Sequence, residues 1–124
     1  MYRIRKEASF SAAHHLRHYQ GKCERLHGHN WRVEAVAQGH ELDEGGMLLD
    51  FGDLKKALNE VLAPFDHADL NTVPPFDTIE TSAENLARII LEALAAKLDS
   101  ERVRIVEVTV WETPTSAATY IRND

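Results

Sequence analysis

The chain opens in alternation. Residues 2–10 put Tyr2, Ile4, Ala8 and Phe10 on one face and Arg3, Arg5, Glu7 and Ser9 on the other, with Lys6 the one interruption of the apolar side. That period of two predicts a half-buried strand. A second strand is predicted at about 29–39, where Trp31, Val33, Ala35 and Ala37 oppose Arg32, Glu34 and Gln38, and Asp43, Gly45 and Gly46 supply the turn after it. From Asp50 the period changes. Leu54, Ala57, Leu58, Val61 and Leu62 follow the spacing of one helical face, with Asp50 as the expected N-cap and Pro64 as the stop.

Residues 65–80 read as a loop. Thr81-Ser82-Ala83-Glu84 fits a capping box opening a second helix, whose Leu86, Ile89, Ile90, Ala93, Leu94 and Leu98 form one stripe. Residues 102–112 are β-branched and alternating, and 116–122 form a weaker partner strand beyond a turn at Thr113-Pro114. The order ββααββ predicts an α+β domain over 1–124, a four-stranded antiparallel sheet with two helices on one face.

Composition narrows the function classes. A domain of 124 residues buries about two thirds of the surface of its unfolded chain, enough for a core without a structural metal. A metal in it is then expected to serve chemistry. The net charge of −6 argues against a nucleic-acid partner, since such surfaces are basic. No run approaches the length of a membrane span, the first residues lack an apolar signal core, and the single cysteine forms no internal disulfide, so a cytosolic location is expected.

Chemistry concentrates early. Seven histidines are present, and the segment Cys23-Glu24-Arg25-Leu26-His27-Gly28-His29 carries the strongest signal. In an extended segment residues i and i+2 share a side about 6 to 7 Å apart, so the rings of His27 and His29 can converge on one zinc ion at about 2.0 Å from each nitrogen. Gly28 is expected to keep the space between them clear. A catalytic zinc takes a third protein ligand, and His14, His15 and His18 compete for that place, while His40 reads as solvated. The bland alternative, a surface turn with no ligand role, is outweighed by the clustering. Cys23 could be a further zinc ligand, a buried apolar residue or a reactive thiol. Its polar setting between Lys22 and Arg25, whose charges attract a thiolate, favours the last. Asp66-His67 could form an oriented proton relay, and Glu112 reads by default as an exposed acid at a strand end.

These residues resemble a known family, the 6-pyruvoyl-tetrahydropterin synthases, and most of all its bacterial 6-carboxy-5,6,7,8-tetrahydropterin synthase branch. The resemblance spans nearly the whole chain. It is carried by Phe10-Ser11-Ala12-Ala13-His14, by the Cys-x-x-x-His-Gly-His run of Cys23 to His29, and by Gly46 to Phe51 with Asp53-Leu54-Lys55. Asp66-His67 with Leu70-Asn71, Ser82-Ala83-Glu84-Asn85 and Trp111-Glu112-Thr113 complete it. Two departures stand out: a short stretch between His14 and Cys23, and Thr81 where proline is common.

The resemblance implies zinc on His14, His27 and His29, selecting His14 over His15, and a proton-transfer set of Cys23, Asp66 and His67. It further implies that Glu112 anchors a pterin ring, with Ser82 and Glu84 also among the substrate-binding residues. The implied reaction converts 7,8-dihydroneopterin triphosphate to 6-carboxy-5,6,7,8-tetrahydropterin with loss of triphosphate and acetaldehyde, toward queuosine. The implied architecture is the tunnelling fold, in which sheets of several subunits join into a barrel, here expected as a homohexamer with active sites between subunits. Two alternatives stand beside this reading: 6-pyruvoyl-tetrahydropterin synthesis, and a non-catalytic zinc module with Cys23 as a fourth ligand.

Overall fold

In the computed structural model, which describes residues 1–123, two long strands pair first. β1 (Tyr2–His14) and β2 (His27–Gly39) run antiparallel in unbroken register from Tyr2 opposite Gly39 to His14 opposite His27. Both extend beyond the alternation that predicted them, β1 by four residues and β2 back to His27. The added ends are the Ser11–His14 and His27–Gly28 segments, where alanine, glycine and histidine blur the apolar-polar contrast although the ladder continues.

After β2 the turn forms as expected. Asp43 Oδ1 accepts from the backbone N–H groups of Gly45 and Met47, and Gly46 takes a φ of 78° that suits glycine. α1 (Phe51–Leu62) is capped by Asp50, whose carboxylate accepts from Gly52 N at 2.6 Å, and α2 (Ala83–Leu98) follows. β4 (Arg104–Thr113) and β5 (Ser116–Ile121) close the chain, and with a short β3 (Ala68–Asp69) the sheet order is β3-β1-β2-β4-β5.

The extra strand corrects the expected count. β3 (Ala68–Asp69) lies within the segment read as loop, pairs parallel with Ala12 and Ala13, and leads into a 3-10 turn at Leu70–Thr72. The sheet therefore has five strands rather than four, one pair of them parallel, and in the single chain it is open. Two residues are too few to show alternation. They form a strand because the free edge of β1 offers unpaired backbone groups.

A second correction concerns the α2 cap. Ser82, not Thr81, is the N-cap, its hydroxyl accepting from Asn85 N at 3.2 Å, so Glu84 falls one position short of closing a capping box. Thr81 is fully buried and uses its hydroxyl to donate to the His15 carbonyl at 3.1 Å.

Both helices cover one face of the sheet. Leu54, Leu58 and Leu62 of α1 and Leu86, Ile90 and Leu94 of α2 bury against Trp31, Val33, Ala35, Ala37, Val108 and Val110. The other face is charged and paired across strands, Arg5 with Glu34 at 3.1 Å and Arg32 with Glu7 at 2.9 Å, and the Arg32 guanidinium lies 3.8 Å above the Trp111 ring. No helix among the described residues is long and apolar enough to cross a membrane.

Where β2 ends, Gly39 admits the backbone of residue 102. A Cβ there would run into the Arg102 carbonyl oxygen and stand 2.7 Å from Leu48 Cδ1. Gly39→Ala is therefore expected to destabilise the fold by about 2 kcal/mol through overpacking. A urea unfolding midpoint equal to that of the wild type would contradict this account of the glycine.

Candidate metal and active site

The β1–β2 register builds the site. Residues directly opposite in an antiparallel pair share a face, so His14 opposite His27 and Ala12 opposite His29 place three imidazoles on the side of Trp31 and the helices. Their ring centroids are 4.7 Å (His14–His27), 5.2 Å (His14–His29) and 4.8 Å (His27–His29) apart. Trp31 floors the group, its ring 4.8 Å from that of His14 and 5.3 Å from that of His29, with its indole N–H donated to the Ala12 carbonyl. His14 is 2% exposed. Of the three histidines that compete for the third place, His14 is the one brought beside His27 and His29, because its position on β1 has the same parity as Phe10 and Ala12.

Gly28 does something other than expected. It points to the opposite face of β2 from the two histidines, where a Cβ would find only ordinary contact with the Ala12 carbonyl at 3.7 Å. The space between the imidazoles is left clear by strand alternation itself.

Glu112 completes the group, and here the default reading as a free strand-end acid gives way. On β4 its parity matches Val108 and Val110, which face the core, so its carboxylate turns toward the histidines with the side chain 33% exposed. Oε1 stands 3.1 Å from His14 Nε2 and 3.0 Å from His29 Nε2. The donor atoms of His14, His27, His29 and Glu112 all lie within 4.8 Å of one another.

The chemistry of these donors fits a cation. His14 Nδ1 donates to the Thr81 carbonyl at 2.8 Å and His27 Nδ1 to the Arg25 carbonyl at 2.7 Å, which leaves Nε2 of each ring for the group, that of His14 within hydrogen-bond distance of Glu112 Oε1. His29 Nε2 is buried without a hydrogen bond, its approach to Glu112 being close but badly angled. Burial holds the His29 ring below the ordinary histidine pKa, with His14 and His27 adding to the effect and Glu112 opposing it. Three imidazole nitrogens and a carboxylate gathered within 4.8 Å of one another form a donor set that suits a divalent ion.

Sequence reasoning assigned no part to several residues that hold this group. Asn71 accepts from His15 N and donates to the His15 carbonyl, both at 3.0 Å, fixing the backbone just past His14. Arg17 donates to the carbonyls of Phe76 at 2.6 Å and Ile79 at 3.2 Å. Glu80 accepts from the backbone N–H groups of Arg17 and His18. These bonds tie the β1–β2 loop to the strand-to-helix segment that ends in the Thr81 carbonyl. A backbone carbonyl leaves no mark in a sequence, and only the polar cluster Arg17, Asn71 and Glu80 could have hinted at it.

Cys23 lies outside the metal-capable group and is exposed. It sits between two fixed points. A tight turn with positive φ at Gln20 and Gly21 joins Tyr19 to Lys22 by paired backbone bonds, and Glu24 N donates to the Leu16 carbonyl at 2.8 Å. A closed site with Cys23 as fourth ligand is not what this geometry provides.

Asp66 and His67 do pair. His67 Nδ1 stands 3.1 Å from Asp66 Oδ1, and the ring is 83% exposed. The Ser11 backbone N–H, bound at 3.0 Å and supported by His67, holds the Asp66 carboxyl below its ordinary range. His67 carries a φ of 57°, uncommon for a side-chain-bearing residue, fixed by its N–H bond to the Ser11 carbonyl. Together with Ser11, Ala13, Gly28, Asn30 and Asp69, His67 lines a shallow cleft of about 510 Å³ that His29 also borders. Neither Asp66 nor His67 belongs to the metal-capable group of this chain. Ser82 adjoins the Thr81 carbonyl that holds His14, and Glu84 is exposed on the first turn of α2.

A sequence model of 6-pyruvoyl tetrahydropterin synthase matches residues 3–123. The chain belongs to this family. The 6-carboxy-5,6,7,8-tetrahydropterin synthase of Synechocystis is 38% identical over 126 aligned residues, covering 97% of this chain and 93% of the relative. That of Haemophilus influenzae is 34% identical over 142, covering 97% and 99%. The solved structure of Caenorhabditis elegans 6-pyruvoyl tetrahydropterin synthase matches with a TM-score of 0.86 at 30% identity, over 98% of this chain and 96% of that one. The expected tunnelling fold is thereby established, with the corrected strand count given above.

The Glu80 clamp carries a pH signature. Burial would raise this carboxyl, but the N–H groups of Arg17 and His18 and the Arg17 guanidinium outweigh it and leave the pKa lowered. A carboxyl depressed in the folded state stabilises above its unfolded pKa and loses that contribution as pH falls through the folded value. The stability difference between wild type and Glu80→Gln is thus expected to be constant near neutrality and to shrink in acid below the ordinary glutamate range. Denaturant unfolding of both proteins from pH 7 to pH 3 measures it, and a difference that does not change with pH would exclude the clamp.

Proposed function

We propose that this chain is a cytosolic zinc enzyme that converts 7,8-dihydroneopterin triphosphate to 6-carboxy-5,6,7,8-tetrahydropterin, releasing triphosphate and acetaldehyde, as a step toward 7-deazaguanine nucleosides such as queuosine. The observation that carries the proposal is the convergence of His14, His27 and His29 at the end of a loop that presents Cys23 four residues before His27. The names of the Synechocystis and Haemophilus influenzae relatives support it.

His14, His27 and His29 would hold the zinc, which when bound polarises the substrate's side-chain hydroxyls and eases loss of their protons near neutral pH. Cys23, held in place by the backbone bonds on either side of it, exchanges protons at the side chain. His67 acts on the opposite side of the substrate, its exposed ring oriented by Asp66. The Glu112 carboxylate matches the pterin ring N–H and amino group, which it can bind as a parallel pair. Ser82 uses its oxygen to cap α2 and keeps its O–H for the substrate, with Glu84 beside it.

Neither Cys23 nor the Asp66–His67 pair belongs to the metal-capable group within one chain, which supports an active site shared between subunits. β5 and the Tyr2–Phe10 stretch of β1 offer free sheet edges, and the charged face suits a solvated barrel interior. A homohexamer built on these edges is part of the proposal.

Mass analysis of the products made from 7,8-dihydroneopterin triphosphate tests the reaction. A 6-carboxy product with one acetaldehyde per turnover is expected; a product that keeps the three-carbon side chain would establish 6-pyruvoyl-tetrahydropterin synthesis instead, the activity in the name of the Caenorhabditis elegans structure. Cys23→Ala is expected to keep its full metal content and to lose turnover by a factor of about 10² or more. Loss of metal on this substitution would return Cys23 to the ligand set.

A further inference from the structure

We infer that Glu112 has two posts: without a pterin it is the fourth ligand of the metal group, and on pterin binding it leaves that position for the pterin edge. The second post rests on the pterin reading above; the first does not.

The distances favour a ligand over a bystander. Four donors about 2.0 Å from a tetrahedral ion stand roughly 3.3 Å from one another. Glu112 Oε1 is 3.1 Å from His14 Nε2 and 3.0 Å from His29 Nε2, close to that edge length on both sides. The His14 approach has hydrogen-bond geometry, a position in which a metal ion would take the place of the shared proton, while the buried His29 Nε2 has no hydrogen-bond partner at all. A carboxylate whose task was only to grip a ring edge would gain nothing by burying one oxygen between two imidazoles.

The same oxygen cannot do both tasks at once. A parallel pair of bonds to a ring N–H and its neighbouring amino group takes both carboxylate oxygens, and Oε1 is occupied among the histidines. Glu112 is the last but one residue of β4, next to the turn before β5, and its side chain is one third exposed, so it has room to swing. The exchange would close the ligand set in the empty enzyme and open one position when substrate arrives, the difference between closed and catalytic zinc sites.

Cobalt(II) substituted into the full-length protein reports the ligand set through its visible absorption, and competition with a chelator gives the affinity. Without pterin, Glu112→Gln and Glu112→Ala, the latter having no donor atom, are expected to bind cobalt and zinc at least about tenfold more weakly than wild type. Their cobalt spectra should also differ from the wild-type spectrum. Saturating 7,8-dihydroneopterin should shift the wild-type spectrum and leave that of Glu112→Ala with a smaller change, while binding to Glu112→Gln weakens roughly thirtyfold. Equal affinities and spectra in the absence of pterin would overturn the ligand role. A wild-type spectrum unmoved by bound dihydroneopterin, a measurement that needs no variant, would overturn the exchange. Failure of the pterin reading looks different: dihydroneopterin does not bind at all, while the variants still differ from wild type in metal affinity.

Discussion

The unbroken antiparallel register of β1 with β2 is the constraint on which the rest of the molecule depends. It sets Phe10 opposite Trp31, Ala12 opposite His29 and His14 opposite His27, so the apolar core and the imidazole group are two lengths of one continuous face. A slip of one residue would turn every side chain of a strand over. It would expose Trp31 and scatter the histidines together. Core burial thus enforces ligand geometry, and hydrophobic packing far larger than any single hydrogen bond holds the rings in place before a metal arrives.

What packing cannot set is which nitrogen each ring turns inward, and backbone carbonyls do that. Thr81 and Arg25 each accept an Nδ1 proton, so the loop into α2 and the loop between the long strands reach the same place from different parts of the chain. Arg17, Asn71 and Glu80 bind those two loops together. The metal group is consequently coupled to the segment carrying Cys23, through bonds that involve neither a ligand nor the thiol. The Asp66–His67 dyad is built separately, from the segment that leads into β3 and the Ser11 backbone, and it stays outside the group of His14, His27, His29 and Glu112.

Much of this was legible beforehand, and the exceptions have physical causes. Both helices, their apolar stripes and the Asp50 cap follow from periodicity, which long amphipathic segments display plainly. The ends of β1 and β2 were cut short because Ala12, Ala13 and Gly28 carry no contrast between faces, although the ladder needs none. β3 answers to an edge created by β1 and is invisible in a window of two residues. The convergence of His27 and His29 was legible from their spacing. His14 could be told from His15 only by family resemblance or by the parity of the completed strand. Glu112 shows the deepest limit: its place among the histidines depends on β4 lying beside β2 in register, a contact between positions some eighty residues apart that no local pattern encodes.

The central claim is that three imidazoles, brought together by strand register, hold a zinc ion that leaves Cys23 free for chemistry. X-ray absorption at the zinc edge of the zinc-loaded protein tests it most directly, because nitrogen and oxygen ligands lie at about 2.0 Å and sulfur at about 2.3 Å. The account predicts a shell of nitrogen and oxygen alone with the multiple-scattering pattern of three histidines. A sulfur neighbour, or fewer than three imidazoles, would contradict it.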